Sequence, residues 1–217
     1  MVRLVKQTDT RERGNKTMRQ VTQKYSVYQF NELSDEAKDK ARDNWRQYGL
    51  DYEWWDCVVD DAKTIGALMG IDIDEVYFSG FASQGDGAQF TGNYAYKRGS
   101  VAAVKEYAPQ DKTLHEIAET LAQIQKRHFY SLSASVSSTG RYSHEYCTSI
   151  DVVDDRKAYY QDVSDDTEEE LKDALRDYMR WIYSRLREER NWLNSDQMVS
   201  ESLIANECEF TEDGEII

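Results

Sequence analysis

Two apolar runs of period two bracket a glycine-rich stretch near the middle of the chain, and the rest reads outward from it. Ile73, Val76, Tyr77, Phe78 and Phe81 precede the stretch. Phe90, Gly92, Tyr94 and Tyr96 follow it on one parity, with Thr91, Asn93, Ala95 and Lys97 on the other. This alternation predicts half-buried strands joined as an antiparallel hairpin. The connector Ser79 to Phe90 exceeds a two-residue turn, so it predicts a bulge or a wide loop. A second hairpin is predicted from Leu132, Ala134 and Val136, a turn over Ser137 to Gly140, and a return strand with Tyr142, His144, Tyr146, Thr148, Ile150 and Val152 on one face. In such a strand His144 and Glu145 face opposite sides, so they form no acid/base pair by themselves.

Helical periodicity fills the remainder. Tyr25, Val27, Tyr28 and Phe30 predict a short strand, and Ser34 then caps a helix carrying Ala37, Ala41, Trp45 and Tyr48, ended by Gly49. Asp51 is the expected cap of a second helix with Trp55, Val58, Val59, Ala62, Ile65 and Met69 inward and Gly70 as its stop. Of the neighbours Trp54 and Trp55, one should point inward, and an exposed one would serve as a binding anchor. A linker is expected through Gly99 to Pro109. Thr113 and Glu116 form a capping box for a third helix lined by Leu114, Ile117, Ala118, Leu121, Ile124 and His128, the histidine reading as a satisfied helix end. Asp165 to Glu170 open a long helix with the stripe Leu171, Leu175, Tyr178, Ile182 and Leu186. Arg185, Arg187 and Arg190 lie toward its C-terminus, where cations are favoured. Ser195 caps a last helix, and Cys208 to Ile217 reads as a final strand or turn.

Helix–strand–strand order therefore occurs twice. It predicts an α+β fold, an antiparallel sheet built from two hairpins with about five helices packed on it. Residues 24–217 read as a single domain with halves 24–100 and 110–217. Residues 1–23 lack apolar periodicity and read as a mobile basic N-terminal arm.

Charge sharpens that division. The 27 Lys and Arg against 41 Asp and Glu leave −14 overall. Through Lys24, seven basic and two acidic residues leave +5, so the body carries −19. Such a body repels phosphate, so direct nucleic-acid binding is expected only through the arm, residues 1–24, and the expected partner is a protein with a basic surface. No run has the length of a membrane span, and no secretory signal opens the chain. Cys57, Cys147 and Cys208 are odd in number and far apart, fitting reduced thiols in a cytoplasm. His115, His128 and His144 are too scattered for zinc, so neither metal nor cofactor is expected.

Chemistry concentrates in Ser79, Phe81, Ser83, Gln84, Gly85, Asp86 and Gly87, with Trp54 as a further candidate. The glycines permit positive φ, and Asp86 between them can accept from backbone amides. Without a following Gly-Lys-Ser/Thr this is no P-loop. An anion nest, a hard-cation ligand in Asp86, a recognition edge and a purely structural loop remain as readings. No catalytic residue is assigned.

Tyr77 to Phe81 with Ser83 to Ala88, together with Phe30 to Lys38, Trp54-Trp55-Asp56 and Asn206 to Gly214, resembles a family of small tailed-phage proteins. Most are uncharacterised and some are labelled antitoxin-like. The resemblance implies a phage-encoded, non-enzymatic interaction protein acting on a host cytoplasmic protein, as an anti-defence inhibitor or antitoxin. The alternatives are a small-ligand or nucleotide-binding protein using the Ser79–Phe90 loop, and a structural or replication-associated phage component.

Overall fold

The computed structural model describes residues 2–4, 24–48, 50–140, 142–156 and 163–217. Most of the expected basic arm lies outside the described residues. In chain order the elements are β1 (Val2–Leu4), β2 (Lys24–Ser26), β3 (Tyr28–Gln29), α1 (Asp35–Tyr48), α2 (Asp56–Met69), β4 (Ile71–Phe78), β5 (Ala88–Ala95) and α3 (Ser100–Tyr107). Then come α4 (Lys112–Arg127), β6 (Leu132–Ser138), β7 (Thr148–Asp154), α5 (Asp165–Leu193), α6 (Asp196–Ala205) and β8 (Glu209–Phe210). The fold is α+β, with six α-helices among the described residues and antiparallel pairing throughout.

Packing divides the chain elsewhere than at the expected linker. One compact unit is Trp54–Arg190; the other joins Met1–Glu53 to Asn191–Ile217. In the latter, β1 pairs with β2 and β3 with β8. Its core is Phe30, Leu33, Ala37, Ala41, Val199, Leu203 and Phe210. Ser34 accepts from the Ala37 amide at 3.2 Å and Ser195 from the Met198 amide at 3.3 Å, so both expected caps hold. Gly49 is outside the described residues.

The unit 54–190 carries the four-stranded sheet in the order β4-β5-β6-β7. Both hairpins lie in it, joined through β5 and β6. Ile71, Ile73, Phe90, Tyr94, Leu132, Ala134, Val136 and Ile150 are buried. The connector between β4 and β5 is a wide loop, and a register shift between Ile73 and Glu75 lies within β4 itself, outside that connector. The expected stripe of α5 is wholly buried, and its Tyr178 hydroxyl donates to the Ala62 carbonyl at 2.6 Å. Gly70, at φ 87°, ends α2.

Four expectations fail here for local reasons. α2 starts at Asp56 rather than after Asp51, because burial of Trp54 against Phe78 and Phe81 holds the chain in a turn first. The linker after Gly99 contains α3, which buries Val104; at about two turns its pattern is too short to read. Asp111, not Thr113, caps α4, accepting from the Leu114 amide at 3.0 Å. Tyr142 to Tyr146 is not strand: a short 3-10 helix spans Glu145–Cys147, and β7 begins only at Thr148.

Tyr94 is buried, and burial pushes its phenol up to about 12 against 10.0 ordinarily; Gln125, donating at 3.3 Å, opposes the shift. The folded value lies above the unfolded one, so the neutral phenol's contribution is complete below pH 10 and lost as pH rises toward 12. Urea titrations should show stability falling by about 1.4 kcal/mol per pH unit there from this residue. Tyr94→Phe should remove that slope.

Candidate functional site

The loop between β4 and β5 is closed by its own polar groups. The Ser79 amide donates to the Gly87 carbonyl at 3.0 Å, and the Gly87 amide donates back to Ser79 Oγ at 3.1 Å. The Ser79 hydroxyl in turn donates to the Ser143 carbonyl at 3.2 Å. Nearer the tip, Asp86 Oδ2 accepts from the amides of Ala82 at 2.9 Å and Ser83 at 2.7 Å. A short acid folded back on the amides before it gives a turn its shape. Gly85 takes φ 94°, the left-handed region that favours glycine. Ser83, Gln84 and Gly85 are exposed at the tip.

Aromatic rings form the floor. Phe81 stacks on Tyr183 of α5 with centroids 5.3 Å apart and planes at 12°. Phe78 and Trp54 lie 6.0 and 6.1 Å from Phe81. Trp54 is thus a buried support of the loop rather than an exposed anchor, while Trp55 is half-buried at the rim. The Tyr183 hydroxyl donates to the Gly80 carbonyl at 2.9 Å. Burial first, and then the Asp86 carboxylate, push the Tyr183 phenol above its ordinary value.

The turn before β7 closes one side, and it corrects the sequence reading of His144 and Glu145. Because this segment is a 3-10 turn, His144 Nδ1 lies 3.2 Å from Glu145 Oε2. Glu145 Oε1 accepts from Arg180 Nε at 3.0 Å. The same His144 nitrogen lies within 3.2 Å of the Tyr146 amide, which donates to it. Gly87 allows this approach: a Cβ there would come within 2.8 Å of His144 Cδ2 and 3.2 Å of Glu145 Oε2.

One face of α5 binds these parts together. Arg176, Arg180, Tyr183, Arg187 and Arg190 recur every three or four residues, the spacing of a single helical stripe. The guanidiniums of Arg176 and Arg180 lie 5.1 and 5.6 Å from the Tyr146 ring centre. Arg187 lies 5.7 Å over Tyr183, and Arg190 5.5 Å over Phe81. Two arginine–aromatic clusters thus border the loop, each a favourable contact of a cation with a ring face.

The structure therefore uses Ser79, Asp86 and Gly87 inside the loop, buries Trp54 and half-buries Phe81, and leaves Ser83, Gln84 and Gly85 outward. Tyr146, Tyr183, Arg180, Arg187 and Arg190 were missed. The arginine spacing is legible in the sequence; the rings it meets come from other elements. Among the described residues no group of three His, Cys, Asp or Glu could hold a metal ion, and no helix is long and apolar enough to cross a membrane.

Residues 54–196 match the model of a domain of unknown function, DUF8835. The match begins at the residue where the sheet-bearing unit begins. No curated protein and no solved structure matches the chain significantly.

Proposed function

We propose that this chain, which belongs to the DUF8835 family, is a non-enzymatic interaction protein that engages another protein through the tip Ala82–Gly85 and the rings and guanidiniums around it. One observation carries the reading: Ser79 and Asp86 are turned inward to close the loop, while a braced floor of Phe81, Tyr183, Arg187 and Arg190 holds an exposed tip in place. A preorganised surface saves the ordering cost of association, and Tyr and Arg are the side chains that most often anchor interfaces. The resemblance to tailed-phage proteins supports a setting in a host cytoplasm, with a host defence component or a toxin as target. The chain's net charge of −14 favours approach by a partner of basic surface. A small ligand held by Ser83, Gln84 and Asp86 fits less well, because Asp86 already accepts two backbone amides.

The test is affinity capture from host lysate with the wild-type chain and a Ser83→Arg/Gln84→Arg variant, whose positions are exposed. The wild type should retain a discrete protein, and the variant at least tenfold less of it. Recovery of no protein, or equal recovery by both chains, overturns the proposal.

A further inference from the structure

The four-stranded sheet of the unit 54–190 has two outer edges, and they are finished differently. A sheet edge is a template for a further strand unless it is blunted. β4 is blunted: its register shifts between Ile73 and Glu75, and Lys63 Nζ donates to the Asp74 carbonyl at 2.8 Å. β7 has no such break. Thr148 to Asp154 pair with Ser138 to Leu132 without a shift.

The ends of that ladder fix which way its backbone groups point. The Asp155 amide donates to the Ser131 carbonyl at 2.9 Å, and the Thr139 amide to the Cys147 carbonyl at 3.0 Å. Hydrogen-bonded pairs recur at every second residue of an antiparallel ladder, so Ser149, Asp151 and Val153 bond to β6. Ile150 and Val152 therefore turn their amides and carbonyls outward. Among the described residues β7 pairs with β6 alone.

The side chains beside this edge are acidic without compensation. Asp151, Val153 and Asp155 share one parity, and all three are exposed. Asp151 has no hydrogen-bond or ion-pair partner among the described residues, and Asp155 accepts only from the neutral Ser133 hydroxyl at 3.1 Å. β5, β6 and β7 contain no Lys or Arg. Arg156, next in the chain, is paired with the buried Asp154 at 3.0 Å.

We infer that the β7 edge takes an extended, basic segment of a partner protein as a fifth strand. Main-chain bonds to Ile150 and Val152 supply attraction, and alternate side chains select the segment. Asp151 lies where an added strand makes no hydrogen bond, the position at which facing side chains come closest. The segment that fits places Lys or Arg opposite Asp151 and Asp155 and a β-branched residue opposite Val153. A second copy of this chain fits poorly, since it would bring the same carboxylates and a further −14 to the edge. The surface uses none of the residues of the Ser79–Phe90 loop.

The probe is the fluorescein-labelled peptide Thr-Lys-Thr-Val-Thr-Lys-Thr with blocked ends, added to the full chain at physiological ionic strength and read by anisotropy. Wild type should bind it saturably. Asp151→Lys should weaken binding about tenfold, because an attraction between facing residues becomes a repulsion. Val152→Pro should weaken it at least as much by removing an outward donor. Its melting temperature should hold, since that amide makes no bond to β6. A peptide with Glu for both Lys should not compete, nor should one with Pro for the Thr after Val. The inference is overturned if the wild type shows no saturable binding, or if Asp151→Lys binds as tightly. It is equally overturned if the proline peptide competes fully, which would mean charge attraction without a strand. A wild-type dimer in sedimentation equilibrium that Val152→Pro returns to monomer would place a second copy on the edge and also overturn it.

Discussion

Gly92→Ala is expected to cost about 2–5 kcal/mol and to detach β4 from the sheet, combining overpacking with a backbone conformation that alanine resists. Gly92 takes φ 149°, opposite Ile73 and beside the register shift in β4. A Cβ there would overlap the Asp72 carbonyl oxygen and sit 3.1 Å from Ile73 Cα. These are backbone atoms of a paired strand, so no side chain can rotate away. β4 leads directly into the loop at Ser79, so the site should loosen with it. Urea unfolding followed by tryptophan fluorescence, with amide exchange over residues 71–78, measures both effects. Unchanged stability with full protection of β4 would refute the expected overlap.

Asp111→Ala is expected to cost about 2–4 kcal/mol, because one carboxylate serves two elements. Oδ1 accepts from the Leu114 amide and caps α4, a contact worth about 1 kcal/mol. Oδ2 accepts from Trp181 Nε1 of α5 at 2.8 Å. Trp181 is 5% exposed, so its orphaned donor adds about 1–3 kcal/mol. Asn should restore only the cap, since its amide nitrogen cannot accept the indole proton, and Asp111→Asn should fall between the two. α5 carries the arginine stripe of the candidate site, so partner capture should decline with Asp111→Ala while the exposed tip residues remain unchanged. Thermal unfolding of Asp111→Ala, Trp181→Phe and the double variant measures the coupling. Strict additivity would mean the indole contact contributes nothing.

Much of the architecture was legible because it follows from periodicity. The alternation around Phe90 and Val136 predicts the two hairpins, and the stripe Leu171 to Leu186 predicts α5; each is buried as expected. The Ser34 and Ser195 caps and the Gly70 stop rest on short-range chemistry, which neighbouring residues settle between themselves. Asp111 shows the limit of such reading: Thr113 and Glu116 make a plausible box, but the indole of Trp181 draws on a carboxylate two residues earlier.

The site was legible only in part. Asp86 between two glycines announces a turn, and the turn is there. Nothing near it in the chain indicates that Tyr183 closes the floor, that Arg190 covers Phe81, or that a 3-10 turn brings Glu145 to Arg180. Residue order and local propensity were sufficient for the two hairpins, the Ser34 and Ser195 caps and the acidic character of the body, because those depend on neighbours a few positions away. The ring floor, the burial of Trp54 and the contact of Arg180 with Glu145 arise where segments distant in sequence are packed together. Which rings meet which guanidiniums is set by the close fit of those segments, and no local pattern encodes it.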